Sequence, residues 1–211
     1  MVNAPVEPTL FTIENELLEE SFTHTENQFD DFRTEILLPH RYSRNGPALA
    51  VADVNKDGLD DFYIGGAMNQ AGGLYVQNSQ SKFKPTNKQV FDEDAKYEDI
   101  GATFFDANND GYPDLYVVSG GNERRTNDPI FQDRFYLNDG KGNFNPSDVL
   151  PEITASGSRV KAADFDGDGD LDLFVGGRVV PQAYPQPASS CLLYTSPSPR
   201  DQRGSRMPSS A

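Results

Sequence analysis

The chain has 211 residues, enough for one domain or for part of a larger repeat fold. Its 18 Lys and Arg stand against 33 Asp and Glu, a formal net charge of −15, which argues against nucleic acid or anionic membrane as partners held by bulk electrostatics. No apolar run reaches the ~20 residues that span a bilayer, and MVNAPVEPTLFTIENELLEE has neither the basic start nor the apolar stretch of a signal peptide.

In chain order, residues 1–45 form an N-terminal lead-in without repetition. LFTIENELLEE reads as a strand or short helix, and the segment offers one edge strand to a unit completed elsewhere. From Gly46 the chain becomes periodic. The frame D-x-D/N-x-D-G-x-x-D occurs three times, at Asp53–Asp61, Asp106–Asp114 and Asp164–Asp172, with first aspartates 53 and 58 residues apart.

Each nonapeptide follows a short apolar run (47–53, 102–106, 159–164) and precedes another that contains Gly-Gly (61–66, 114–121, 172–177). Short runs rich in Val, Ile, Phe and Tyr predict strands, so each nonapeptide becomes the tip of a hairpin. A second hairpin is predicted in GLYVQNSQSKF (73–83) and in RFYLNDGKGNF (134–144), the latter turning on Asp139-Gly140.

Two hairpins give four strands per repeat, the composition of a propeller blade. The expected fold is all-β: a β-propeller fragment of about three four-stranded blades with Ca-binding hairpin loops. Its repeats cover residues 46–190, at about 46–100, 101–156 and 157–190, the last stopping before its second hairpin.

From Cys191 the pattern breaks into CLLYTSPSPRDQRGSRMPSSA, which has no repeat and no alternation. Cys191 to Asp201 resembles one reading frame of a transposase adapter used in DNA library preparation, so residues 191–211 are expected to be a non-native or disordered tail. The single cysteine lies in this tail, leaving residues 1–190 with no disulfide framework and no thiol nucleophile.

The nonapeptides carry the chemistry. Hard cations such as Ca²⁺ take six to eight oxygens from a flexible loop. Positions one, three and five supply side-chain oxygen, position seven a carbonyl, and position nine a carboxylate able to bind through both oxygens. The first set is Asp53, Asn55, Asp57, Leu59 (carbonyl) and Asp61. The second is Asp106, Asn108, Asp110, Tyr112 (carbonyl) and Asp114, and the third Asp164, Asp166, Asp168, Asp170 (carbonyl) and Asp172.

An EF-hand would need a twelve-residue loop closed by Glu between helices, whereas these flanks alternate as strands. Asp, Asn and Gly also favour turns in their own right, but three copies in one frame point to cation binding. The third set has four carboxylates where the others have three and an amide, so it is expected to bind most tightly.

A catalytic constellation is not expected. His24 and His40, the only histidines, sit in no nucleophile or metal frame. Asp30-Asp31 and Asp60-Asp61 are adjacent acids of the kind usually solvated, and Arg124-Arg125 falls in a long loop between hairpins. Phe62, Tyr63, Phe104, Phe105, Tyr116 and Phe174 fit sheet packing better than a ligand box.

The loop frame followed by an apolar strand and Gly-Gly resembles the FG-GAP or VCBS repeat family, whose best-known members form the integrin α-subunit propeller. FDDFRTEILLPHR, GPALAVADVNKDGLDDFYIGGA, LYVVSGGNE, FYLNDGKGNF and AADFDGDGDLDLFVGGRVVP resemble, more narrowly, bacterial VCBS-repeat proteins of the ASPIC/UnbV-associated type, over roughly residues 20–188. No ASPIC/UnbV domain is recognisable in these 211 residues. The resemblance implies Ca²⁺ as cofactor, a non-enzymatic protein or cell-surface interaction module, and an extracytoplasmic place within a larger exported bacterial protein. A lectin-like carbohydrate-binding module and an accessory region of an extracellular enzyme are the alternatives.

Overall fold

Alternation in Leu49-Ala50-Val51-Ala52 and in Asp61-Phe62-Tyr63-Ile64 sends successive side chains to opposite faces. The nonapeptide between them reverses the chain, so that β1 (Leu49–Ala52) and β2 (Asp61–Ile64) pair antiparallel with Ala52 opposite Asp61. The computed structural model describes residues 13–14 and 16–195. Before β1, the described lead-in contains one short helix, α1 (Asp31–Thr34).

The hairpin continues into β3 (Gly73–Gln77) and β4 (Phe83–Thr86), giving a four-stranded antiparallel meander in the order β1-β2-β3-β4. After the six-residue helix α2 (Lys88–Glu93), the pattern repeats in β5 (Asp99–Phe105), β6 (Asp114–Ser119), β7 (Arg134–Asn138) and β8 (Phe144–Ser147). The third sheet has three strands, β9 (Ser156–Ala163), β10 (Asp172–Val179) and β11 (Cys191–Leu193), with β10 central.

β11 comes from the segment expected to lie outside the fold. It pairs with β10 through Leu173↔Leu193, Phe174↔Leu192 and Val175↔Cys191, the place that β3 and β7 hold in the other sheets. An unpaired strand edge offers hydrogen bonds to any extended segment within reach, whatever its side chains. Residues 196–211 of the expected tail lie outside the described residues.

The first strands pack side by side, β1 against β5 and β5 against β9, so the sheets share an inner edge as propeller blades do. Two apolar layers fill the spaces between sheets. Tyr63, Leu74, Phe91, Leu115, Val117, Tyr136 and Phe144 bury between the first two. Phe105, Tyr116, Val118, Phe135, Val160, Leu173 and Val175 bury between the second and third. The three sheets do not close into a ring.

Helix α2 acts as a wedge. Phe91 is 2% exposed, its ring 5.2 Å from Tyr63 and 5.4 Å from Tyr136, so one aromatic joins the first two sheets. Of the aromatics expected in packing, Tyr63, Phe105 and Tyr116 are buried, while Phe174 is 45% exposed. Phe174 faces outward from the third sheet, as Leu49 and Val51 do from the first, and no further sheet covers either face among the described residues. The middle sheet is covered on both sides, and β6 is buried along its whole length.

The lead-in follows the rim. Leu17 and Glu19 exchange backbone hydrogen bonds with Phe83 along the free edge of β4, an isolated parallel bridge. Asp31 then anchors it: fully buried, its carboxylate accepts the N–H groups of Tyr42 and Ser43, the Ser43 hydroxyl and Asn122 Nδ2.

Candidate metal centre

The three nonapeptides fold alike, residue for residue. Asp53 Oδ1 accepts the N–H of Asp57 at 3.1 Å and Oδ2 that of Gly58 at 2.8 Å. Asp106 does the same for Asp110 and Gly111, and Asp164 for Asp168 and Gly169. The third position, Asn55, Asn108 or Asp166, accepts the N–H of the fifth, and the fifth accepts that of the seventh. Short Asp and Asn side chains cap their own backbone in this way more readily than longer ones can.

This curl needs left-handed backbone at two places. The fourth residues, Lys56, Asn109 and Gly167, have φ of 60°, 58° and 78°, and the sixth, Gly58, Gly111 and Gly169, have 86°, 86° and 101°. Glycine at the sixth place meets the requirement without strain, which is the physical reason for the D-G in each copy.

The ninth residue differs from the rest. Asp61, Asp114 and Asp172 are at most 2% exposed, whereas most other loop positions face solvent. Each uses Oδ2 to accept the N–H of the second loop residue (Val54, Ala107, Phe165) and Oδ1 to accept an N–H from the third strand of its sheet or just beyond it (Gln77, Asn138, Thr195). Burial pushes the carboxyls of Asp61 and Asp114 up from their ordinary range, while those backbone donors pull back and the neighbouring loop aspartates add to the rise. The ninth carboxylate therefore ties the loop to the sheet as well as facing the other loop acids.

Neighbouring loops touch. Lys56 Nζ sits 4.0 Å from the centre of the Tyr112 ring, joining the first loop to the second, and Asn109 Nδ2 donates to Asp170 Oδ1 at 2.6 Å, joining the second to the third. The three loops make one acidic row along one end of the sheets.

The acidic cluster of the third loop has the dimensions of a hard-cation site. Two oxygens on one Ca²⁺ lie no more than about 5 Å apart, given bond lengths of about 2.3–2.6 Å. Asp164, Asp166 and Asp172 each offer an oxygen within 4.8 Å of the others. In the first two loops the third position is an amide that donates Nδ2 to the fifth carboxylate, at 3.1 Å in Asn55–Asp57 and 2.9 Å in Asn108–Asp110. Leu59, Tyr112 and Asp170, the expected carbonyl donors, hold the seventh places of the same turns.

Other residues singled out in the sequence lie apart. His24 Nε2 bonds Glu26 Oε1 at 2.9 Å, and His40 packs on Tyr42. Arg124 and Arg125 are exposed. Asp31 is buried as the anchor described above, and Asp60 lies within the first loop.

A second polar region, with no counterpart in the sequence reading, lies at the opposite end of the sheets. Arg134 pairs with Asp99 beneath the ring of Tyr97, and Tyr63 Oη donates to Asp99 Oδ2 at 2.7 Å. Asp133 accepts the Tyr116 hydroxyl at 2.7 Å and the Ser119 N–H at 2.8 Å, and burial pushes its carboxyl up to about 7. Beside them Glu98 and Glu123 are buried against each other, and burial together with Glu123 raises Glu98 to about 10. These contacts join residues up to 36 positions apart, which no local spacing reveals.

Residues 53–117 and again 106–175 match the FG-GAP-like repeat, so the two matches together run across all three nonapeptides. Integrin alpha-8 of Gallus gallus is 30% identical over 180 residues, covering 72% of this chain. The chain spans 17% of the length of that relative. No helix among the described residues is long and apolar enough to cross a membrane.

Proposed function

Since this chain belongs to the FG-GAP-like repeat family, we propose that it is a calcium-stabilised segment of a β-propeller that serves as a non-enzymatic protein-interaction module. Three repeats at about 46–100, 101–156 and 157–190 supply its blades, and the exposed outer faces at Leu49, Val51 and Phe174 suit burial against further blades of a larger exported protein. The observation that carries the cation reading is the shared hydrogen-bond curl of the three loops, together with the oxygens of Asp164, Asp166 and Asp172 lying within 4.8 Å of one another in the third.

In this reading Asp53, Asn55, Asp57, Leu59 and Asp61 hold one Ca²⁺; Asp106, Asn108, Asp110, Tyr112 and Asp114 a second; Asp164, Asp166, Asp168, Asp170 and Asp172 a third. A bound Ca²⁺ supplies positive charge that offsets the repulsion of the clustered carboxylates. Tying the loop to β2, β6 or β10 then makes metal binding and hairpin order one event. The relation to an integrin α chain favours a protein ligand over the lectin-like and enzyme-accessory alternatives.

Terbium luminescence tests the cation reading directly. Tb³⁺ in the second loop lies beside Tyr112, so excitation of tyrosine gives sensitised terbium emission that Ca²⁺ displaces and Tyr112→Phe weakens. Emission that Ca²⁺ leaves untouched would sink the proposal.

A further inference from the structure

We propose that Glu98, Glu123 and Asn27 form a separate binding site for one hard divalent cation, at the end of the sheets opposite the nonapeptide loops. Glu98 immediately precedes β5, and Glu123 follows the Gly120-Gly121 turn after β6, whereas the second loop joins the other ends of these two strands. Asn27, from the lead-in, lies against Glu123.

The site is built and its acceptors are unfilled. Glu98 is 1% exposed, and its carboxyl meets that of Glu123, with no N–H or hydroxyl donor on either of its oxygens among the described residues. Glu123 Oε1, Asn27 Oδ1 and Glu26 Oε2 are buried in the same condition. All of these atoms are acceptors. A shared proton would satisfy one pair of them, whereas a hard cation satisfies several oxygens together.

No basic group takes the cation's place. The ion pairs among the described residues are His24–Glu26, Lys88–Glu20 and Arg134–Asp99, and none includes Glu98 or Glu123. Burying a carboxylate without a partner is strongly unfavourable, so two in contact require a counter-charge or a proton. Arg134 is committed to Asp99, so a bound cation or a proton has to answer the two glutamates.

The backbone makes room for the pair. Gly121 has φ of +100°, and a Cβ there would collide with Glu123 Oε2 and lie 2.9 Å from Glu98 Oε2. Both carboxylates therefore close on one notch that only glycine leaves open. Asn122 supports it from the side, donating its N–H to Glu123 Oε2 at 2.8 Å. Glu26 adds negative field and no direct bond to the ion: among the described residues, the acidic trio with ligand atoms mutually within 4.8 Å is that of the third loop.

Equilibrium dialysis of the full chain against Ca²⁺ reads the number of bound ions. The double variant Glu98→Gln, Glu123→Gln is expected to lose one ion relative to the parent while Asp57→Ala, Asp110→Ala and Asp168→Ala remove others independently. Asn27→Ala, which keeps both carboxylates, is expected to weaken one site, and it carries the test should the double variant not fold. Loop variants that lose ions while the glutamate and Asn27 variants lose none would overturn this site and leave the loop reading intact. Loss in the glutamate variant alone would uphold it and refute the loops.

Discussion

Asp61 accepts the backbone N–H of Gln77 at 2.8 Å across 16 residues of chain, fastening the first nonapeptide to the strand β3. The same bond joins Asp114 to Asn138 at 2.8 Å in the second sheet. Position nine of each loop is therefore a joint in the sheet as well as a proposed cation ligand, and the two roles separate by experiment.

In the presence of chelator, Asp61→Ala is expected to destabilise the chain strongly, because it strands the N–H groups of Val54 and Gln77. Two buried donors left unpaired cost on the order of 2–4 kcal/mol. Asp57→Ala, whose side chain is exposed, should cost under about 1 kcal/mol under the same conditions. Urea unfolding of both variants with EDTA distinguishes them; equal losses would mean that position nine has no separate structural role.

Removing the wedge between the first two sheets should be among the costliest core changes. Phe91→Ala deletes a ring held between Tyr63 and Tyr136 and is expected to cost about 3–5 kcal/mol. The variant's urea midpoint checks this, with Phe32→Ala, at a 37% exposed position, as the comparison that should change little.

Asp133 should impose a pH dependence of defined sign. Its carboxyl is raised from 3.8 to about 7 in the folded chain, first by burial, so the folded state holds this proton more tightly than the unfolded state. Its contribution to stability is then greatest below about pH 4, falls as pH rises toward 7, and levels above that. Asp133→Asn should flatten this part of the profile, and carbon NMR of the carboxyl should show a midpoint near neutrality. A midpoint near 4 would contradict the burial argument.

The loops should differ in affinity. The third brings Asp166 where the others bring Asn55 and Asn108, hence one more carboxylate. In calorimetry, Asp168→Ala is expected to abolish the tightest Ca²⁺ site, while Asp57→Ala and Asp110→Ala remove weaker ones. Loss of the tightest site from Asp57→Ala would reverse the ranking.

The strand framework was legible because its signals are local. The short apolar runs around Phe62 and Tyr116, the D-G of each loop and the Asp139-Gly140 turn all act within a few residues, and β2, β6 and β10 begin where the nonapeptides end. The second role of Asp61 was hidden because its partner lies a strand and a loop away. Helix α2 has one buried residue, Phe91, so it shows no apolar face of helical period to read. Asp31 and Asn122 meet across 91 residues, and Glu98 and Glu123 meet only once β5 and β6 are paired. The strand β11 arose where a free edge of β10 met a nearby segment, a pairing that side-chain pattern does not announce.

The central claim is that cation binding in the nonapeptides and the order of the sheets are coupled. Thermal unfolding of the full chain with excess Ca²⁺ and with EDTA tests it most directly. A melting temperature that climbs with Ca²⁺ concentration and falls on chelation, with the shift reduced stepwise by Asp57→Ala, Asp110→Ala and Asp168→Ala, is the expected result. The same melting temperature in Ca²⁺ and in EDTA would contradict it, leaving the three loops as hydrogen-bonded turns.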